Sequence, residues 1–147
     1  MVFIEDAGSE FDAPLDVVWK LNRAHATDSA KIHPNSRNHM MEQINETTFI
    51  MAWEDVAPDG QIIKTKAKGS VHAPLGTMFE ILEGPLTGSQ FFNYYTPKGN
   101  KTGVTVVGEF KSPVMPDDEL KVAVLTFLER AFNEDSAYLK QVLIPAI

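Results

Sequence analysis

The segment that decides the fold runs from Pro116 to Ile147 and reads PDDELKVAVLTFLERAFNEDSAYLKQVLIPAI. The three residues after the proline are acidic, and negative side chains at that place stabilise the amino end of a helix. Apolar residues then recur every three or four positions, the spacing of one helix face: Leu120, Val124, Phe127, Leu128, Ala131, Phe132, Tyr138, Leu139 and Val142. No glycine or proline interrupts the pattern before Pro145. It therefore predicts one helix over about 118–143, roughly 40 Å long at 1.5 Å per residue.

The chain before this helix is dominated by β-strand patterns. Residues 2–11 form the first predicted strand, with Phe3, Ala7 and Phe11 on one face. Six further runs follow with period-two alternation and short turn sequences between them: His39–Thr47, Thr48–Val56, Ile62–Ala73, Gly76–Glu83, Gln90–Thr96 and Gly103–Lys111. Connections this short join antiparallel neighbours only, because parallel neighbours need long crossovers.

Two short helices are expected between the first and second strands. Pro14 suits a first helical position, and apolar residues follow it at helical spacing, which predicts a helix over 14–23. A second short helix is expected near Ala26–Ile32, ended by His33 and Pro34.

These elements add up to an α+β fold in one domain over residues 1–147. A seven-stranded antiparallel sheet must curve around the single long C-terminal helix to cover its apolar face. The strand Ile62–Ala73 shows which side faces out, because Lys64, Lys66 and Lys68 alternate with small and apolar residues. The lysine side is expected to face solvent and the other side the helix.

Composition excludes several classes of protein. The chain has no cysteine, which excludes disulfides and thiolate chemistry. Its 20 acidic and 13 basic residues give a net charge of −7, which disfavours nucleic acid as a partner. The first residues lack a signal-peptide pattern, and no apolar run reaches the ~18 residues of a membrane span. We therefore expect a cytoplasmic protein without stable membrane insertion, and the oligomeric state stays open.

The whole chain resembles the START-like superfamily, also called SRPBCC or the helix-grip fold, which includes the birch-pollen-allergen type. The stretch Glu10–Trp19, EFDAPLDVVW, is similar to the family's opening pattern of an apolar residue, Ala-Pro and Val-Trp. The stretch Gly103–Phe110, GVTVVGEF, followed by the long helix, is similar to its last strand and closing helix. The resemblance implies the helix-grip fold and a ligand cavity between sheet and helix. It does not imply one chemistry, because the superfamily carries diverse functions.

Strand alternation then predicts which residues line that cavity. Small residues at 67, 69, 108 and 131 are expected to leave room against the helix. In Gln90–Thr96 the pattern is ambiguous, because Phe91 and Tyr95 are nearly as plausible for the inner face as Phe92 and Tyr94. The predicted ligand-binding residues are Met51, Trp53, Phe79, Phe92, Tyr94 and Phe110 from the strands and Leu128, Ala131, Asp135 and Tyr138 from the helix, with Ile81 and Val106 also inward.

Asp135 is the most informative single residue, because it lies on the apolar stripe of the long helix. A carboxylate there must be paired, hydrogen-bonded or protonated. It is interpreted either as a ligand anchor or raised-pKa acid in the cavity, or as a rim residue where the helix passes beyond the sheet. In the first case, Asp135→Leu should change ligand affinity and leave folding nearly intact.

Other motifs of catalysis or cofactor binding are absent from the sequence. The histidines at 25, 33, 39 and 72 show no HxH or HExxH spacing, and no metal site is expected from them. No phosphate loop, nucleophile elbow or nucleotide fingerprint occurs, so no catalytic residue and no cofactor is assigned.

The function favoured by these observations is a binding or carrier protein for a hydrophobic or amphipathic small molecule, such as a lipid, isoprenoid or aromatic metabolite. The alternative is an enzyme of the polyketide cyclase, aromatase or dehydratase kind in the same cavity, with Asp135, Tyr94 and His39 as polar candidates within reach of one void. A further alternative is a protein-interaction module, which would need an exposed apolar patch on the outer face of the sheet.

Overall fold

A computed structural model describes residues 1–146 of the protein. Over these residues the elements are β1 Val2–Phe11, α1 Leu15–Ile32, β2 Ser36–Gln43, β3 Thr48–Val56, β4 Ile62–His72, β5 Gly76–Glu83, β6 Gln90–Lys98, β7 Lys101–Phe110 and α2 Asp117–Tyr138, followed by a π-helical turn at Leu139–Leu143. The predicted order of strands and of the long helix is confirmed.

The seven strands form one curved antiparallel sheet in the order β1-β7-β6-β5-β4-β3-β2. The strand boundaries of β1, β3 and β5 are those predicted from the sequence. Strand β2 differs, because it begins at Ser36 and ends at Gln43. Its end is set by Asn45, whose side-chain oxygen accepts hydrogen bonds from the backbone N–H groups of Thr47 and Thr48 at 3.0 Å. Such a turn ends the ladder before residue 47.

The region between β1 and β2 is helical on both sides of a kink, so the two predicted short helices run together as α1, and the predicted break after residue 23 is found at Asp28. The backbone leaves the helical region only at Asp28, with φ −117° and ψ 18°. Two contacts hold the kink: the Ser29 hydroxyl donates to the His25 carbonyl, and the Asp28 carboxylate accepts a hydrogen bond from Tyr138. Because no glycine or proline lies inside α1, the chain resumes the helix after one residue.

Helix α2 packs along the β1 and β7 side of the sheet, on its concave face. Leu120 and Val124 are fully buried against a cluster completed by Ile4, Val106 and Phe110. The helix ends in a wider turn, where the Ile144 N–H bonds to the Leu139 carbonyl five residues back. Neither helix within residues 1–146 combines the length and hydropathy needed to cross a bilayer.

A second core cluster lies where α1 meets the end of α2. Its buried members are Phe11, Ala13, Val17, Val18, Leu21, Ile32, Tyr95, Tyr138 and Leu139. The two clusters anchor both helices to β1, β6 and β7, which leaves the concave face of β2 to β5 less covered.

Candidate functional site

Strand pairing decides which side chains of β6 face α2. Phe91 lies opposite Phe79 on β5 and Gly108 on β7, and its ring stacks on buried Phe110 with centroids 5.2 Å apart. Phe91 and Tyr95 therefore lie on the concave face. Phe92 and Tyr94 lie on the convex face, where they stack on each other, so the predicted inward orientation of these two residues is wrong.

A row of aromatic rings crosses the concave face. Pairing places Phe49, Gly69, Phe79, Phe91 and Gly108 directly opposite one another on five successive strands. Ring centroids are 6.4 Å apart for Phe49–Phe79 and 5.3 Å apart for Phe79–Phe91, both within the range of favourable aromatic contact.

The glycines in this row do not leave empty space, contrary to the prediction. A Cβ on Gly69 would lie 2.6 and 2.7 Å from two edge carbons of the Phe49 ring. A Cβ on Gly108 would meet the Gln90 carbonyl and lie 2.5 Å from Phe91. The missing side chain at Gly69 leaves the space that the Phe49 ring occupies, and the missing side chain at Gly108 allows the close approach of strand β6.

Away from α2 the concave face carries the half-buried side chains of Phe49, Met51, Trp53 and Phe79. Phe91 lies at the edge of this surface, packed against the cluster of Leu120 and Val124, and we call the whole surface the aromatic groove. None of the residues of β3 is fully buried. Three of the predicted ligand-binding residues, Met51, Trp53 and Phe79, therefore lie on one half-exposed apolar surface.

A separate cleft of about 350 Å³ lies on the other flank of α2, against β1 and β7. Its lining residues are Asp6, Ser9, Val104, Val106, Leu125, Leu128, Glu129 and Phe132. Of the predicted ligand-binding residues, Leu128 lines this cleft, Ala131 is half-buried on α2, and Phe110 and Tyr138 are buried in the two core clusters. The structure thus divides the predicted cavity into a groove, a cleft and core positions.

Asp135 lies between His25 of α1 and His33, the residue that follows α1. Its Oδ1 is 3.2 Å from His25 Nε2 and 3.3 Å from His33 Nε2, and the two Nε2 atoms are 3.2 Å apart. His33 Nδ1 donates to Glu134 Oε1 at 2.9 Å, and His25 Nδ1 donates to the Leu21 carbonyl at 2.9 Å. We call His25, His33 and Asp135 the histidine–aspartate cluster.

Burial and pairing shift the pKa values of His33 and Asp135 in opposite directions. Burial disfavours the charged form of both partners, but mutual hydrogen bonds and charges outweigh it. As a result, the pKa of His33 is raised by Asp135 and Glu134, and the pKa of Asp135 is lowered by His25 and His33. The raised-pKa acid considered for Asp135 is therefore wrong: this carboxylate is ionised and paired.

The charges of the histidine–aspartate cluster predict how the free energy of unfolding depends on pH. The measurement is made with a chelator present, so that no metal ion occupies the side chains. His33 binds a proton more tightly when folded, so its contribution is complete below its unfolded value of 6.5 and is lost as the pH rises through the folded pKa. Asp135 contributes above its unfolded value of 3.8, and that part is lost as the pH falls through its lowered pKa. His39 acts in the opposite sense to His33, because burial and the nearby His33 charge lower its pKa.

The free energy of unfolding, measured with urea from pH 5 to 9, is expected to fall above about pH 6.5 by more in the wild type than in His33→Gln. Parallel profiles for the two proteins would contradict this.

Sequence reasoning missed the cluster because its members are remote in sequence. His25 and His33 are eight residues apart and lie 110 and 102 residues before Asp135. The kink at Asp28 lies between the two histidines, so the ideal rotation of about 100° per residue does not relate the directions of their rings. The available indication in the sequence was a carboxylate on the apolar stripe of α2.

A chain of contacts connects the cluster to one end of the aromatic groove. The backbone N–H of Ser36 bonds to the His33 carbonyl at 3.0 Å, and the Ser36 hydroxyl donates to Asp55 at 2.5 Å. Asp55 in turn accepts the indole N–H of Trp53 at 3.0 Å. His39, exposed on β2, is close enough to His33 and Asp55 for their charges to affect its pKa. Tyr94 lies on the convex face, so the predicted trio of Asp135, Tyr94 and His39 does not share one void.

Comparison with solved structures identifies the fold. The Zhui aromatase/cyclase from Streptomyces sp. R1128 superposes with a TM-score of 0.72 at 16% identity, over 94% of this chain and 90% of that one. Ara h 8.0201 gives 0.70 at 18% identity, over 94% and 97%. The protein TTHA0849 from Thermus thermophilus gives 0.67 at 14% identity, over 99% of both chains. The sequence matches no protein-family model and no curated protein sequence. These similarities, at 14–18% identity, show the helix-grip fold alone and leave the chemistry of this chain to its own residues.

Proposed function

We propose that this START-like helix-grip protein binds a small, largely apolar molecule with a polar end in the aromatic groove. The observation that carries the proposal is the half-exposed row of apolar side chains on the concave face, which α2 does not cover. Contiguous apolar surface that stays partly accessible to solvent supports a binding site for an apolar molecule.

The groove offers two kinds of contact. Phe49, Phe79 and Phe91 present aromatic faces, which suit a flat or aliphatic hydrophobic body. The Asp55 carboxylate, which accepts the indole N–H of Trp53, offers hydrogen-bond acceptors at the end that leads toward the histidine–aspartate cluster. An amphipathic molecule would place its apolar body on the rings and its polar end toward Asp55.

Removing one ring of the groove should weaken binding. We expect Phe49→Ala to raise the dissociation constant of the neutral probe N-phenyl-1-naphthylamine about five-fold, because one aromatic contact contributes about 1 kcal/mol. Binding is read from probe fluorescence and from quenching of Trp53, which lies on the groove.

The matched control is Phe92→Ala, a half-buried phenylalanine on the convex face. It should leave the dissociation constant unchanged. Leu125→Ala tests the cleft, since Leu125 lines it and is 37% exposed. Loss of affinity in Leu125→Ala but not in Phe49→Ala would move the site to the cleft, and no probe binding by the wild type would overturn the proposal.

A second candidate is an enzyme of the cyclase kind, favoured by the His25–Asp135 contact of 3.2 Å. A histidine held by an ionised carboxylate can accept and return a proton, which is the chemistry of enolisation and dehydration. The test is time-dependent conversion of a β-polyketone by the wild type, followed by mass spectrometry. Equal conversion by His25→Gln would remove the cluster from this role.

A further inference from the structure

The donor atoms of the histidine–aspartate cluster present their lone pairs to one another. In His25 and His33 the Nδ1 atom faces an oxygen that can only accept, the Leu21 carbonyl and the Glu134 carboxylate, so each Nδ1 carries the ring hydrogen. Each neutral ring then has its lone pair on Nε2. Both Nε2 atoms and Asp135 Oδ1 converge, and this arrangement is stable only with a cation among them, either a proton or a metal ion.

We propose that His25, His33 and Asp135 bind one Zn²⁺ ion. The three donor atoms form a nearly equilateral triangle with sides of 3.2, 3.2 and 3.3 Å. Adjacent ligands of tetrahedral zinc, with bonds of 2.0–2.1 Å, lie about 3.3 Å apart, whereas an octahedral ion with the same bonds needs about 2.9 Å. The triangle therefore fits three corners of a tetrahedron.

The surroundings have the features of a metal site. Glu134 fixes the tautomer and orientation of His33 through its Nδ1–H, and the Leu21 carbonyl does the same for His25, as outer partners do for zinc-bound histidines. The three side chains keep 25%, 22% and 22% of their exposure, so an ion can reach them. Three protein ligands leave the fourth position for water or for an oxygen of a bound molecule.

The site does not depend on small-molecule binding in the aromatic groove, and it is tested with metal alone. After chelator treatment and dialysis, calorimetric titration with Zn²⁺ should show one ion per chain. Co²⁺ in its place should give the intense visible absorption of a four-coordinate ion. Glu134→Gln, which removes an outer partner, should lower the affinity for Zn²⁺ about 10- to 100-fold. A larger loss of affinity is expected when a ligand itself is replaced, in His25→Gln, His33→Gln or Asp135→Ala.

The controls are His39→Ala and His72→Ala, which remove histidines outside the triangle. They should bind Zn²⁺ like the wild type. Circular dichroism in the presence of a chelator shows whether each ligand variant is folded. If a ligand variant is unfolded, the proposal is tested with Glu134→Gln, which keeps all three ligands. Absence of stoichiometric binding to the folded wild type, equal affinity in the ligand variants, or a weak six-coordinate Co²⁺ spectrum would overturn the proposal.

Discussion

Gly108→Ala should lower the free energy of unfolding by about 3 kcal/mol or more, at or above the upper end of the usual cost of overpacking. A Cβ at this position would meet the Gln90 carbonyl and lie 2.5 Å from both Cα and Cβ of Phe91. These atoms belong to the paired strand β6, so the clash can be relieved only by separating β6 from β7. Urea denaturation of both proteins at one pH measures the difference.

Gly103→Ala is the matched control for this prediction. Gly103 lies on the same strand and is buried, whereas Gly108 is half-buried, but the nearest atom to the added Cβ of Gly103 would be Lys98 Cε at 3.3 Å, the flexible end of a side chain. We expect this variant to remain within about 1 kcal/mol of the wild type, because alanine also restricts the unfolded chain. A similar loss in both variants would mean that strand propensity, and not the contact with Phe91, determines the effect.

The sequence was sufficient to predict the architecture because most of its periodicities are unambiguous. Strand β4 alternates lysine with small and apolar residues, which defines its two faces. The long run without glycine or proline after Pro116 leaves a helix as the only regular structure. Short polar turns then force antiparallel neighbours, and a curved sheet over one helix follows.

Strand β6 shows where this reasoning fails. Its pairs Phe91–Phe92 and Tyr94–Tyr95 place an aromatic residue on both faces, so alternation carries no information on orientation. The orientation is decided by partners on other strands: Phe91 lies over Gly108, where a side chain would not fit. Such information resides in the register and not in any local pattern.

The histidine–aspartate cluster was beyond prediction for a related reason. The polar residues of α1 resemble an ordinary solvated helix surface, and only the packing of α1 against the end of α2 brings them to Asp135. The kink at Asp28, held by Tyr138, is part of that packing. Contacts between side chains of two helices become visible only in the coordinates, because the sequence pattern of either helix alone does not show which residues of the other helix it meets.

Asp135→Leu should destabilise the protein by about 2–3 kcal/mol near pH 6 in the presence of a chelator. The structure therefore reverses the expectation that this change leaves folding nearly intact. The Asp135 side chain is only 22% exposed and lies within 3.3 Å of both histidine Nε2 atoms, and a hydrogen bond to a charged group contributes about 1.5–3 kcal/mol. Leucine has a similar size but leaves a charged His33 with Glu134 as its only remaining carboxylate.

The pH dependence distinguishes this cause from a simple packing change. Because Asp135 helps to raise the pKa of His33, its loss costs most below about pH 6.5, where His33 is protonated, and less at pH 9, where His33 is neutral. Urea denaturation at the two pH values measures the difference, and Glu129→Leu, on the exposed side of the same helix, should stay within about 0.5 kcal/mol at both. If Asp135→Leu were as stable as the wild type at pH 6, the carboxylate would be a rim residue without an energetic role. A loss of the same size at both pH values would instead indicate that leucine fits poorly between α1 and α2, and the ion pair would not be its cause.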